Sequence, residues 1–138
     1  MEHEVLMANH YIGEVPAPEF GGKGVVIRLD MAGLLQLEDE YGEFTWASRL
    51  FNGLAMVSPS KIRAVLTVGL RNDKGTLFSE GDELPAWPAD KPLAPLATRC
   101  QDALALFLYG KTFKDWAAGV ASKREEEEER PPQNDAVL

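Results

Sequence analysis

At 138 residues, with 45% of them hydrophobic, the chain has the length and composition of one globular domain with its own core and is too short for two ordinary ones. The net charge is −8, of which Lys123 to Leu138 supplies −3 (three basic residues against six acids), so the body is acidic too. Nucleic acid and anionic membranes are therefore poor partners and a protein partner is expected. No apolar run approaches the roughly 18 residues of a spanning helix, and the start Met-Glu-His-Glu-Val lacks the regions of a signal peptide. The single cysteine, Cys100, excludes an internal disulfide, so the expectation is a cytoplasmic protein.

Residues Met1 to His10 show no periodicity and read as a loose lead-in. They hold both histidines, His3 and His10, near Glu2 and Glu4, but a structural metal site wants four ligands at defined spacing, and no metal is expected. Tyr11 to Phe20 contains Pro16 and Pro18, which cannot donate to a ladder and confine any strand to a short edge. Gly21, Gly22 and Gly24 supply a turn into Val25 to Leu29, which has the β-branched character of a half-buried strand. The result is a two-stranded ribbon that must lie against helices, because such a ribbon is marginal alone.

Asp30 can cap the helix that follows, and Gly42 can close it. Between them Met31, Leu34, Leu35, Leu37 and Tyr41 fall in one arc at about 100° per residue. Glu38 lands inside that arc, between Leu34 and Met31. It reads as a partly exposed residue at the margin, as a partner of a core-edge arginine (Arg63 or Arg99), or as a catalytic acid, although no second carboxylate, histidine or nucleophile is spaced to work with it. Phe44, Trp46, Leu50, Phe51 and Leu54 suit a short helix from about Thr45 to Asn52, ended by Gly53. Ser58 followed by Pro59 is a start signal for a helix that runs to about Arg71, with Ile62, Val65, Leu66 and Leu70 inside.

Asn72 to Lys91 breaks every helix with Gly75, Gly81, Pro85 and Pro88. Its Leu77, Phe78, Leu84 and Trp87 argue for packing, with a helical turn near Ser79 to Leu84 and Trp87 on the core. Such a loop is also a candidate binding element. Pro92 to Tyr109 reads as the central helix, with Leu93, Leu96, Ala97, Cys100, Ala103, Leu104, Phe107 and Leu108 on one face, and Cys100 as a small buried hydrophobe. Gly110 ends it and Thr112 can cap an amphipathic last helix carrying Phe113, Trp116, Ala117 and Val120. From Lys123 the apolar residues stop, and Glu125 to Glu129 followed by two prolines reads as a fraying acidic end. The expected architecture is α+β and mostly helical. A two-stranded N-terminal ribbon packs on about four to five helices, with a lead-in at 1–10, one domain at 11–122 and a disordered acidic tail at 123–138.

Site chemistry is nearly absent: there is no glycine-rich phosphate loop, no Cys/His metal spacing and no nucleophile elbow. Asp102 and Asp115 read as solvated carboxylates. An enzyme is not expected, nor is a cofactor, and the candidates for structural or partner-binding roles are Glu38, Trp46, Phe51, Trp87, Phe113 and Trp116.

Several short motifs, in this order, resemble the tail assembly chaperones of long-tailed phages and gene transfer agents. They are Gly13-Glu14-Val15 leading into a strand, Leu29-Asp30-Met31 opening a helix, Leu34 to Gly42 as Leu-Leu-Gln-Leu-Glu-Asp-Glu-Tyr-Gly, the Ile62 to Leu70 helix, and Leu96 to Phe113, which looks like the family's last helical hairpin. The resemblance covers roughly Gly13 to Ala121, while the proline-rich Asn72 to Lys91 loop and the glutamate run depart from it. Met7-Ala8-Asn9 looks like a start in this family. The resemblance implies a non-catalytic protein that binds the aggregation-prone tape measure protein until tail tube polymerises around it. It further implies several self-associating copies per client and, where a frameshifted longer product exists, recruitment of tail tube subunits. The alternative is a small acidic regulatory or inhibitor protein that binds a protein partner.

Overall fold

The computed structural model describes residues 13–81 and 83–129, so the lead-in with His3 and His10 and the chain end from 130 lie outside the described residues. The fold is α+β and mostly helical, as the sequence predicts. Strand β1 (Val15–Pro16) pairs antiparallel with β2 (Val26–Ile27) in the register Val15 to Ile27 and Pro16 to Val26. A single 3-10 turn at Pro18–Phe20 and the glycines that follow connect them.

The expected two-stranded ribbon gains a third strand, β3 (Leu70–Arg71), which pairs antiparallel with β2. These two residues continue the apolar spacing of the preceding helix, but their backbone opens into the extended region at Leu70 and joins the sheet instead. Three strands backed by helices overcome the marginal stability of a lone ribbon.

Helix α1 (Met31–Tyr41) begins where Asp30 caps it, the carboxylate accepting from the Gly33 amide at 2.8 Å. Gly42 closes it at φ +99°, its amide donating to the Glu38 carbonyl. Leu34, Leu37 and Tyr41 are buried, whereas Met31 and Leu35, expected in the same arc, are 63% and 58% exposed. The core side of α1 is narrower than the apolar arc because, among the described elements, α1 packs mainly on α2 (Trp46–Ala55) and α3 (Pro59–Gly69).

Helix α2 runs through Gly53 rather than stopping there. A side-chain carbon at that position would run into the Lys61 side chain, so the glycine serves close packing of α2 against α3 and not termination. Phe44 precedes α2 and is 92% exposed instead of joining its apolar face. The Ser58 hydroxyl, expected to cap α3, makes no cap bond and faces the Ser60 hydroxyl at 3.2 Å.

The turn between α2 and α3 holds Val57 at φ +55°. Its amide donates to the Leu54 carbonyl at 3.0 Å and the Ser58 amide to the Gly53 carbonyl at 2.9 Å, the paired bonds of a Schellman motif with valine where glycine is usual. A β-branched residue there costs about 1–2 kcal/mol, offset by the packing of Val57 on the core. Val57→Gly is accordingly expected to be more stable than Val57→Ala by about 1 kcal/mol in urea midpoints, since both lose the packing and only glycine relieves the strain. Equal midpoints would remove the strain from the account.

Beyond β3, a helical turn α4 (Phe78–Gly81) breaks the long connection, near its expected place. Helix α5 (Ala94–Tyr109) is central: it packs on α2, α3, β1, β2 and the last helix, α6 (Phe113–Glu129). Leu96, Ala97, Cys100, Ala103 and Leu104 are buried as expected, and burial in apolar surroundings pushes the Cys100 thiol pKa up. Phe107, expected in the core, is 39% exposed, one turn beyond Ala103 and Leu104, where that face runs out of neighbours. Ala105 and Leu106, on the opposite face, are buried instead. Helices α2 and α6 both pack on α5, so its buried side is wider than one arc and four consecutive residues, Ala103 to Leu106, are all inside.

At its far end α6 continues through Glu129, past the point where apolar spacing stops; the described part of the expected disordered tail is helical. Its start is held twice. Thr112 Oγ1 accepts from the Asp115 amide at 3.4 Å, as the sequence predicts, and Asp102 on α5 accepts from the Phe113 amide at 3.0 Å, so Asp102 is a capping group and not merely a solvated carboxylate.

Ion pairs tie the sheet region to the helices: Arg71 with Asp30 at 3.0 Å, and Arg99 with Glu19 through paired bonds of 2.6 and 2.8 Å. The Glu19 carboxyl is held below its usual pKa by the Arg99 guanidinium, and that of Asp30 by the Gly33 amide and then Arg71. A carboxyl depressed in the folded state stabilises the fold at pH above its unfolded value, near 4, and that contribution disappears as pH falls through the folded value. Urea midpoints are therefore expected to fall on acidification below about pH 5. The double variant Glu19→Gln/Asp30→Asn should show a flatter profile, and an identical profile would reject both carboxyls as the source.

Candidate functional site

Three of the six sequence candidates come together in one place. Phe51 enters from the middle of α2, and Phe113 and Trp116 come from the first turn of α6, where a spacing of three residues puts both rings on one side. Phe51 stacks on Phe113 at 5.1 Å between centroids and on Trp116 at 6.3 Å. Tyr109, from the end of α5, completes the group: its ring lies 4.6 Å from Trp116 at an interplanar angle of 6° and 6.3 Å from Phe51.

The short connection through Gly110, at φ +72°, makes this possible, because a left-handed residue directly after α5 turns the chain back on itself. Phe51 is buried at the bottom of the group, Phe113 and Trp116 are half-buried, and Tyr109 is 39% exposed. The outcome is an aromatic corner, open on one side, where three helices meet.

The other candidates lie elsewhere. Trp46 is half-buried against the core. Trp87 packs its ring on Phe20 at 5.2 Å, carries the Arg99 guanidinium at 6.0 Å from its centroid, and donates Nε1–H to the Lys91 carbonyl at 3.2 Å. It lines a groove of about 550 Å³ together with Ile62, Leu66, Leu84 and Leu93. A second groove, of about 630 Å³, separates α1 from α3 over Leu37, Tyr41, Ala64 and Val68; Arg63 stands on the ridge between the two. Tyr41 carries the Lys61 ammonium at 4.7 Å and the Arg49 guanidinium at 5.7 Å from its ring.

Glu38 is partly exposed, and among the described residues neither Arg63 nor Arg99 pairs with it; Arg99 is taken by Glu19. The expected arginine partner is thus corrected, and the margin reading holds for its exposure. Sequence reasoning missed Tyr109, Arg71, Glu19 and the capping role of Asp102. For Tyr109 a signal was present: it directly precedes the helix-ending glycine, where a tight turn brings the end of one helix beside the start of the next. For the other three, the partners are distant in the chain and no local pattern marks them.

Among the described residues, no group of three or more His, Cys, Asp or Glu side chains is disposed to hold a metal ion, and no helix is long and apolar enough to cross a membrane. What the arrangement offers is surface: a stacked aromatic corner, two helix-lined grooves, and large apolar side chains in solvent at Met31, Leu35, Phe44 and Met56. No protein-family model, curated protein or solved structure matches the chain.

Proposed function

We propose that this protein is a tail assembly chaperone, which binds the long helical tape measure protein through apolar contact and keeps it soluble until tail tube assembles around it. The observation that carries the reading is the half-open aromatic corner in which Phe51 of α2 and Tyr109 of α5 offer apolar rings beneath those of α6, on a chain of net charge −8. The order of short motifs that resembles this family gives the client its identity. A client that exposes long apolar helical stripes needs a complementary apolar surface, and the acidic exterior of the chaperone keeps the complex in solution. Several copies per client, associating with one another, and contact with tail tube subunits belong to the same proposal.

Burial of apolar surface contributes roughly 25 cal/mol per Å² and is not screened by salt. Co-expression with a long helical tape measure protein is therefore expected to move that protein into the soluble fraction, and a pull-down at about 1 M salt, where the Debye length is about 3 Å, is expected to retain the complex. A client that stays insoluble would sink the assignment. A complex that forms and is lost at high salt would favour the charge-led regulatory or inhibitor alternative.

A further inference from the structure

Helix α6 is long but weakly held. From Phe113 to Glu128 it has no fully buried residue, and every residue from Val120 onward is exposed. Only Phe113 joins the core cluster, while Trp116 lies outside it on Tyr109 and Phe51. Its far part adds little to its stability: Glu125 to Glu129 are a run of five like charges, which repel one another at the one-turn spacing of a helix. Lys123 and Arg124 sit four residues before Glu127 and Glu128, which is the weaker order for such pairs. Helices with few buried contacts open at low free energy while the rest of the fold stays closed.

What α6 covers is apolar. Asp102 and Tyr109, which both touch α6, mark one stripe of α5, and Ala105 and Leu106 flank that stripe. Ala105 is 0% exposed and Leu106 9%, and Phe51 of α2, whose carbonyl accepts from the Gln101 side chain and whose ring faces Tyr109 on α5, lies under the rings of α6. With α6 lifted, Phe51, Ala105, Leu106 and Tyr109 form a face shaped for an amphipathic helix, because a helix occupies it in the closed chain.

We propose that α6 is a displaceable lid, and that the face of Phe51, Ala105, Leu106 and Tyr109 beneath it docks an apolar helix of the client bearing aromatic residues three apart, as Phe113 and Trp116 are. This deepens the client-binding reading and rests on it for the identity of the client. The apparent affinity of such a face is its intrinsic affinity scaled by the fraction of chains whose lid is open. Loosening the lid tightens binding; firming it weakens binding.

Two full-length variants set the lid in opposite directions. Trp116→Ala removes the outer ring of the stack. Gly119→Ala firms the helix, since a side-chain carbon at Gly119 meets nothing within 4 Å and alanine is the better helix former. The probe is a fluorescein-labelled peptide of residues 110–129, followed by fluorescence anisotropy, with hydrogen exchange of α6 amides read on each protein without peptide. Relative to the unaltered chain, the peptide is expected to bind Trp116→Ala about tenfold more tightly and Gly119→Ala about fivefold more weakly, with α6 exchange following the same order. Equal binding by all three, or weaker binding by Trp116→Ala, overturns the lid.

The same three proteins co-expressed with the tape measure client separate the two readings. Client retention in the peptide's order supports docking under α6. Retention that ignores the order overturns docking there while leaving the chaperone reading intact. A client that none of the three solubilises overturns the chaperone reading and the identity of the occupant, and the peptide result then decides the lid alone.

Discussion

Arg71→Met is expected to lower the stability of the fold by about 2–3 kcal/mol. The guanidinium is almost wholly inside, at 7% exposure, and its donors go to three different segments. Nε–H donates to the Arg28 carbonyl at 3.1 Å, one Nη to the Gly75 carbonyl at 3.1 Å, and the other to Asp30 Oδ2 at 3.0 Å. It fastens the end of β2, the turn after β3 and the cap of α1 at once. The Asp30 side chain is 51% exposed, so the ion pair itself contributes little. Most of the loss comes from the Arg28 carbonyl left without this donor, at about 1 kcal/mol or more, and from the packing of the planar group, whereas Gly75 is exposed and its carbonyl turns to water. Arg71→Lys keeps the charge and recovers less than half of the loss, because one ammonium cannot reproduce a fork aimed at three acceptors. Urea midpoints measure both variants, and a loss below about 1 kcal/mol for Arg71→Met would show that water replaces these bonds at little cost.

Arg71 also shows where the sequence stops being legible. Following Ile62, Val65, Leu66 and Leu70 at helical spacing, it reads as a cation at a helix end, a favourable place beside the dipole. Its real surroundings depend on Val26 and Ile27, more than forty residues back, pairing with it across β2. The same holds for Arg99 and Glu19, eighty residues apart. Features written in a few adjacent residues were readable: the Asp30 cap, the Gly42 and Gly110 stops, the Thr112 cap, and the α5 face through Cys100 and Leu104. Apolar spacing misled where it was right about periodicity but not about neighbours. Met31 and Leu35 lie on an apolar arc yet stand exposed, and Ala105 and Leu106 lie off the arc yet are buried, because α5 is packed on by both α2 and α6. The candidate site was legible as a set of aromatic residues, not as a place, since stacking of Phe51 on α6 follows from the tight turn at Gly110 and from how α2 lies on α5.

Phe51→Ala separates the aromatic corner from the rest of the core. Phe51 is 9% exposed and lies within 5.1 to 6.3 Å of three other rings, so truncation removes apolar burial, leaves a cavity and deletes the ring against which α6 rests. Together these effects are expected to cost about 3–5 kcal/mol, of which stacking beyond simple burial is roughly 1. Phe107→Ala is the matched control: the sequence pattern puts that ring in the core, but at 39% exposure and without a stacking partner among the described residues it should cost less than about 1 kcal/mol. Near-UV circular dichroism distinguishes how the loss arises. Phe51→Ala should abolish the signal of the packed Tyr109 and Trp116 pair because α6 loses its seat, while far-UV signal from α1, α3 and α5 persists under native conditions. A near-UV spectrum unchanged by Phe51→Ala would mean that the Tyr109–Trp116 stack holds α6 without α2, and the docking face would then be confined to α5.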